Sequence, residues 1–317
     1  MPLNRLPKLA ILVPAFNEEE IIDEALTQLQ ALLVTLCSDQ LIDSNSFIFI
    51  VDDGSEDRTW DLLKDSKKSN PRIEGIKLSR NFGHQMALVA ALEFIVDKSD
   101  INVCIDADLQ HDISVIADFI SLYNRGYDIV LGVKKERKSD SLFKRLSATL
   151  YYKILIWMGV NITYNHADFR LLTNRVTKEL LKYRERNLFL RGIIPLLGYK
   201  TITVQYDIKK RAAGVSKYSL KRMISLAIDG VTSFSAKPLR MVSYLGLLTI
   251  LLSFIEGVDA TWAYYRGITT PGWASLVISI YFIGGVQLLS LGIIGEYIGK
   301  IYSEVKGRPR YLVSEEL

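Results

Sequence analysis

From Trp273 to Ile294 the chain runs for 22 residues without a charged side chain. A helix crossing the hydrocarbon core of a bilayer needs about 20 consecutive apolar residues, so this run either spans a membrane or lies buried on every side in a core. A companion run from Leu239 to about Ile255 is shorter before it meets Glu256. It reaches spanning length if Glu256 and Asp259 lie near the far interface. Trp262, Tyr264, Tyr265 and Trp273 cluster at one end of the pair, where an aromatic belt would sit. The connecting loop carries only Arg266, whereas the other end is flanked by Lys237 and Arg240 before, and by Lys300, Lys306, Arg308 and Arg310 after. Because cytoplasmic flanks collect Lys and Arg, the pattern predicts a multi-pass protein of the cell membrane. Its two helices would span about 239–263 and 273–295, with both termini cytoplasmic. Gly284, Gly285, Gly292, Gly295 and Gly299 would let helices approach closely, which predicts a homo-oligomer through this region.

The rest of the chain is not membrane-like. Charged residues make up 23% of the 317 even though mean hydropathy is +0.16, so the apolar excess is local. Residues 1–235 are long enough for a large cytoplasmic α/β domain, with 236–300 as the helical hairpin and 301–317 as a cytoplasmic tail. A net charge of +4 is too mild to argue for nucleic acid. Cys37 and Cys104, each flanked by apolar residues, have no zinc spacing and form no disulfide framework, so both read as reduced thiols. The apolar run Leu9–Val13 is too short for a signal peptide and is soon followed by acidic residues.

Within 1–235, short apolar runs alternate with helical patterns. Strands are predicted at Lys8–Pro14, Phe47–Val51, Ile73–Leu78, Ile101–Ile105 and Asp128–Val133. Helices are predicted at Glu18–Leu36, Thr59–Lys67, Met86–Val96 and Ile113–Asn124, with Asp57 or Ser55 as cap of the second. Such alternation implies a mostly parallel sheet covered on both faces, and ligands of such sheets bind at the carboxyl ends of the strands. Two acidic clusters, Asp52-Asp53 and Asp106-Ala107-Asp108, fall at those ends. Ser141–Gly159 sets Lys144, Arg145 and Lys153 between apolar and aromatic residues at helical spacing. A basic helix lying on a membrane surface fits, as does an ordinary domain helix. Val215–Gly230 reads as a second interfacial candidate.

Two carboxylates one residue apart at a strand end can share a hard divalent cation, above all one that also holds a diphosphate. By itself D-x-D is a common loop triplet, and a solvated turn accounts for it equally well. The second acidic cluster one βα unit upstream raises its weight, and carboxylates like those of Asp52 and Asp53 suit ribose hydroxyls or a base N–H.

The ordered set of motifs resembles the inverting GT-A glycosyltransferases. Val13-Pro14-Ala15-Phe16-Asn17-Glu18-Glu19 is similar to their V-P-x-[YF]-N-E-E opening, and Asp52-Asp53-Gly54-Ser55-Glu56-Asp57-Arg58-Thr59 to their D-D-G-S-x-D-x-T element. Ser79-Arg80-Asn81-Phe82-Gly83-His84-Gln85 and Asp106-Ala107-Asp108-Leu109-Gln110 continue the likeness. Ala167-Asp168-Phe169-Arg170-Leu171-Leu172 and Arg211-Ala212-Ala213-Gly214-Val215-Ser216-Lys217-Tyr218 resemble the polyprenyl-phosphate branch. That branch includes dolichyl-phosphate mannose synthases and bactoprenol glucosyltransferases of the GtrB type. The resemblance implies a GT-A, Rossmann-like fold with amphipathic juxtamembrane helices and a two-helix transmembrane hairpin. It implies Pro14, Phe16, Glu18, Asp53, Ser79, Asn81 and Asp106 for the nucleotide sugar, Asp108 with Asp106 for Mg2+ or Mn2+, and Gln110 near the sugar. Asp106, Gln110 and Asp168 would be the catalytic set, and Arg211, Ser216 and Lys217 would bind the acceptor phosphate. The chain departs from the branch in having His111-Asp112-Ile113 where D-P-P is frequent, and Ala212-Ala213 where a bulkier residue is common. It has no Q-x-x-R-W motif, which argues against a processive synthase.

The reaction so implied is inverting transfer of a hexose, glucose from UDP-glucose, to undecaprenyl phosphate at the cytoplasmic face of the membrane. GDP-mannose or UDP-N-acetylglucosamine as donor, or a non-catalytic membrane scaffold with a GT-A fold, are the alternatives. A phosphate monoester has a second pKa of about 6, so the acceptor is already a nucleophile and a strong base is less needed. Asp168 orients the site or serves as a structural partner of Arg170. Lys209 and Lys210 assist the acceptor site or form a solvated basic strip. His84 lies in a motif and is a candidate donor contact, whereas His111 and His166 read as bystanders.

Overall fold

β1 (Leu9–Ala15) and β2 (Phe47–Asp52) are buried at every position, as central strands are when helices cover both faces of a parallel sheet. The computed structural model describes residues 5–108, 110–135, 166–185, 190–207, 235–267 and 272–317. The expected helices at 141–159 and 215–230, and Arg211, Ser216 and Lys217, lie outside them. Two compact units divide the described residues: those up to 135, 166–207 and 308–317 form one, and 235–307 the other.

The first unit is built on an eight-stranded mixed sheet in the order β7-β5-β6-β4-β1-β2-β3-β8. Its remaining strands are β3 (Ile73–Leu78), β4 (Ile101–Cys104), β5 (Ile129–Lys134), β6 (His166–Thr173), β7 (Thr201–Tyr206) and β8 (Val313–Glu316). The helices are α1 (Ile22–Ser38), α2 (Thr59–Ser69), α3 (His84–Ile95), α4 (Val115–Asn124), α5 (Asn174–Leu181) and the single turn α6 (Leu190–Ile193). On α1 the buried Ile22, Leu26, Leu29, Leu33 and Leu36 form the apolar stripe of a helix laid on a sheet. Each such side chain contributes about 1.5–3 kcal/mol by leaving water.

The β1–β5 run follows the sequence expectation closely, with three differences. First, α1 starts at Ile22 rather than Glu18. The N–H groups of Asn17, Glu18 and Glu19 are already taken by Ser55 Oγ (2.9 Å), Thr59 Oγ1 (2.9 Å) and Asp57 Oδ2 (3.1 Å). Ser55 is therefore no cap for α2; Asp57 Oδ1 accepts from Thr59 N–H at 3.0 Å instead. Second, α4 starts at Val115, because Asp112 Oδ1 holds the Ser114 N–H and hydroxyl in a turn. Third, β6, where no strand is expected, lies between β4 and β5 and is antiparallel to both.

β8 is the other unexpected strand. It follows the helical hairpin in the chain and pairs antiparallel with β3. Leu317 N–H reaches Gly75 O at 2.9 Å, and Ser79 N–H reaches Leu312 O at 2.8 Å. Trp60 Nε1–H donates to Glu315 at 2.9 Å, and Lys64 pairs with the same carboxylate at 2.6 Å. Just ahead of the strand, Tyr311 donates to Glu93 and Arg310 to Tyr183 O.

The second unit contains α7 (Lys237–Tyr265) and α8 (Trp273–Val305), of 29 and 33 residues. At 1.5 Å per residue each is longer than a hydrocarbon core of about 30 Å. α8 runs ten residues past its expected end at 295. Among the described residues one helix, Ser279–Val305, is long and apolar enough to cross a membrane, and none of its most apolar stretch is buried. Tyr281, Phe254 and Leu288 are each more than 70% exposed, which marks a surface made for lipid or another helix.

Candidate active site

The carboxyl ends of β1, β2 and β4 meet at one edge because the registers are short and parallel. Ala15 lies beside Asp52, and Leu12 beside Cys104, two residues ahead of Asp106. β6 brings its chemistry from the opposite direction. Its pairing sets Cys104 against Arg170, and the same register continued two residues further puts Asp168 opposite Asp106. A motif expected only from resemblance thus reaches the acidic edge through one antiparallel strand.

The first two motifs interlock. Asn17, at φ 53°, donates to Ser55 and accepts the Glu56 N–H on its Oδ1 at 2.9 Å. Glu19 accepts the Arg58 N–H at 3.1 Å. Gly54 has φ 71°, and a Cβ there would lie 2.3 Å from the Arg80 carbonyl carbon, so only glycine lets the two loops touch. Asp53 spends both oxygens on backbone, accepting Phe82 N–H at 2.7 Å and Gly83 N–H at 2.9 Å. Burial raises its pKa against these bonds. Its visible work is to hold the Ser79–Gly83 loop. Asp52 is fully buried; one oxygen accepts Ser55 N–H at 2.8 Å, and the other faces Lys77 at 3.9 Å.

Of the other expected nucleotide-sugar residues, Pro14 is buried in β1, Glu18 is half-buried, and Phe16, Ser79 and Asn81 are exposed along the same edge. Gln110 is half-buried, and its N–H reaches Asp108 Oδ1 at 3.2 Å.

Asp168 is 5% exposed and surrounded by cations. Arg191 on α6 holds it through Nη2 at 2.7 Å and Nε at 3.3 Å, Arg170 approaches at 3.4 Å, and His84 Nε2 lies 3.3 Å away. Burial alone would raise its pKa. The His84 hydrogen bond and the Arg191 and Arg170 charges reverse that and hold the carboxyl well below the ordinary range. It is therefore a fixed anion. His84 also stands 3.5 Å from Asp106. Burial lowers the imidazole's pKa, but the bond to Asp168 and the charges of Asp106 and Asp168 outweigh it, and the net shift is upward.

Asp106, Asp108 and His111 each offer one ligand atom, all within 4.8 Å of one another. His111, read from the sequence as a bystander, thus lies within reach of the acidic pair. Its ring is stacked on Phe169 at 5.1 Å and meets the edge of Tyr206 at 5.3 Å. Space for that stack comes from Gly132, where a Cβ would lie 2.9 Å from Phe169. Asp106 Oδ1 and both His111 ring nitrogens are buried without a hydrogen-bond partner. An orphaned carboxylate oxygen and an imidazole gathered beside a second carboxylate would suit a divalent cation. Nearby, burial lowers the pKa of Lys134 and raises that of Tyr206. Arg191 is the participant that no sequence signal announced, since it sits in a four-residue turn of helix outside every motif.

Two family descriptions match the chain: Glycosyl transferase family 2 over residues 10–181, and GtrB C-terminal hairpin over 237–301. The uncharacterized glycosyltransferase YkoT of Bacillus subtilis (strain 168) is 49% identical, over 98% of this chain and 92% of its own length. The bactoprenol glucosyl transferase of Shigella phage SfII is 36% identical, over 97% and 98%. Among solved structures, the mannosyltransferase PcManGT of Pyrobaculum calidifontis, in complex with GDP-Man and Mn2+, is similar at a TM-score of 0.43 and 14% identity, covering 91% of this chain and 88% of that one.

Proposed function

The chain belongs to glycosyl transferase family 2 and carries a GtrB C-terminal hairpin, and we propose that this membrane-associated glycosyltransferase moves glucose from UDP-glucose, with inversion, to undecaprenyl phosphate at the cytoplasmic face of the cell membrane. The observation that carries the reading is the Asp106–Asp108 pair, held at a strand end with Asp168 beside it, in a chain alike over nearly its whole length to named bactoprenol glucosyl transferases. Pro14, Phe16, Glu18, Asp53, Ser79 and Asn81 flank the nucleotide, and Gln110 stands by the sugar. Asp106 and Asp108 hold the cation, and Arg211, Ser216 and Lys217 receive the acceptor phosphate. Bound there, Mg2+ or Mn2+ would offset negative charge on the leaving diphosphate.

Asp168 is a poor proton acceptor, because a general base works best with a pKa near the operating pH and this one is held far below. That suits a phosphate acceptor, largely dianionic at neutral pH. Asp168 instead fixes His84 and Arg191, and Arg191 with Arg211 and Lys217 counters the repulsion between two anionic substrates. α7 and α8 cross the membrane as a hairpin, with Lys237, Arg240, Lys300 and Lys306 on the cytoplasmic side. The open surfaces at Gly284, Gly285 and Gly292, where a Cβ would meet nothing within 4 Å, suit association of α8 with a second copy.

The test incubates detergent-purified protein with undecaprenyl phosphate, magnesium and a panel of radiolabelled nucleotide sugars. Label from UDP-glucose in the organic phase, lost in Asp108→Ala, is the expected result. Label from GDP-mannose or UDP-N-acetylglucosamine alone replaces the donor; no label and no UDP binding leaves a scaffold and sinks the reading.

A further inference from the structure

His111 is the feature of this edge that glycosyl transfer does not by itself require. Its side chain is 2% exposed, neither ring nitrogen has a hydrogen-bond partner, and Nε2 is directed at Asp106 Oδ2 from 3.9 Å. A buried polar group left unpaired is destabilising, so such an imidazole needs a reason to sit there. The ring cannot swing away to find water, because Phe169 covers its face and Tyr206 its edge. The Phe169–Tyr206 contact at 5.2 Å closes the frame. A side chain fixed in orientation, desolvated and aimed at a carboxylate pair is a preorganised ligand.

We propose that His111, resting on the metal role read above for Asp106 and Asp108, is a third direct ligand of the bound cation and tilts the site toward manganese-class ions over magnesium. The chemistry follows from the donor set. Carboxylates suit magnesium, calcium and manganese alike, whereas imidazole nitrogen favours first-row transition ions. Magnesium gives up water reluctantly and prefers oxygen, so one nitrogen among two carboxylates lowers its standing against manganese. His84 is the competing nitrogen, 3.5 Å from Asp106, but its Nε2 is also engaged with Asp168 at 3.3 Å.

The experiment uses full-length protein in detergent, stripped with EDTA and reloaded with Mn2+ in the presence of UDP. Pulsed EPR of the bound ion reads nitrogen coupling directly, with no substrate turnover. Unlabelled protein is expected to show a 14N coupling that becomes a 15N coupling when only histidines are labelled. It should vanish in His111→Gln and persist in His84→Gln. In competition titrations His111→Gln weakens Mn2+ by at least about tenfold, the lower bound for losing even an outer-shell partner, and changes Mg2+ little. His111→Asp shifts the Mn2+/Mg2+ preference toward magnesium. The labelled wild-type spectrum stands even if a variant fails to fold. Mn2+ bound without histidine coupling, or coupling lost in His84→Gln alone, overturns the proposal and leaves the transferase reading intact provided Asp108→Ala no longer binds Mn2+. Failure of wild type to bind Mn2+ at all overturns the proposal, while the transferase reading still stands or falls on label transfer in magnesium.

Discussion

Replacing Asp168 by asparagine keeps the side chain's size and removes its charge. The Arg170 guanidinium that it faces is fully buried, and none of its nitrogens has a hydrogen-bond partner. The carboxylate 3.4 Å away is thus what compensates a cation with no access to water. Removing one member of a buried pair costs about 3–5 kcal/mol, most of it from stranding the other. Arg191, with a side chain 38% exposed, turns to solvent and adds at most about 1 kcal/mol. For a domain of this size each kcal/mol moves Tm by about 2–4 °C, so Asp168→Asn should lower Tm by about 6–24 °C. Thermal unfolding of the detergent-purified chain, followed by tryptophan fluorescence, measures it. Arg170→Met removes the buried charge while Asp168 keeps Arg191 and His84, so its loss should be smaller, and the double variant should be more stable than Asp168→Asn alone. Because the folded pKa of Asp168 lies below its unfolded value of 3.8, its contribution is fully present above that pH and is lost as pH falls through the folded value. The gap between wild type and Asp168→Asn should therefore close in strong acid, and it should also narrow as pH rises through the folded pKa of His84, which the bond to Asp168 raises. A shift under 2 °C, or a double variant whose loss is the sum of the singles, would refute the account of a stranded guanidinium.

Gly54→Ala should cost more than the roughly 1 kcal/mol typical of glycine positions, because its Cβ would collide with the Arg80 backbone; a lowered Tm together with weakened UDP binding in calorimetry checks it. Deleting residues 311–317 should leave the β3 edge open and raise proteolysis around Ser79–Gly83, read by limited digestion and mass spectrometry, since Leu312 O holds the Ser79 N–H. Burial pushes the Cys104 thiol up to about 11, so iodoacetamide at pH 8 should modify the half-buried Cys37 and spare Cys104 in the folded chain; equal labelling would contradict the burial of β4.

The parallel half of the sheet was readable because its strands are apolar runs ended by turn residues. The acidic edge was readable because Asp52-Asp53 and Asp106-Ala107-Asp108 follow those runs directly. β6 was not, since its run holds Asp168 and Arg170, charges out of place in a buried strand unless they pair with each other. Nor was β8, whose Val-Ser-Glu-Glu sequence has no apolar periodicity and is held by a partner more than 230 residues earlier. The setting of His111 is hidden for a related reason: Phe169 and Tyr206 are brought beside it by two strands that the sequence shows only faintly. Arg191 lies in a single helical turn, and nothing local distinguishes it from a surface arginine.

The pairing of β8 with β3 also sets an order of events during synthesis. β3 is made early, but its edge partner emerges only after the whole helical hairpin. At about 5–20 residues per second the interval is on the order of tens of seconds. Throughout it the nascent sheet exposes an unpaired edge, the kind of surface that recruits other strands. Completion of the catalytic sheet thereby becomes a late checkpoint: a chain interrupted within the hairpin keeps its acidic loops but lacks the strand that pins Ser79, and it would present an open edge to cellular proteolysis.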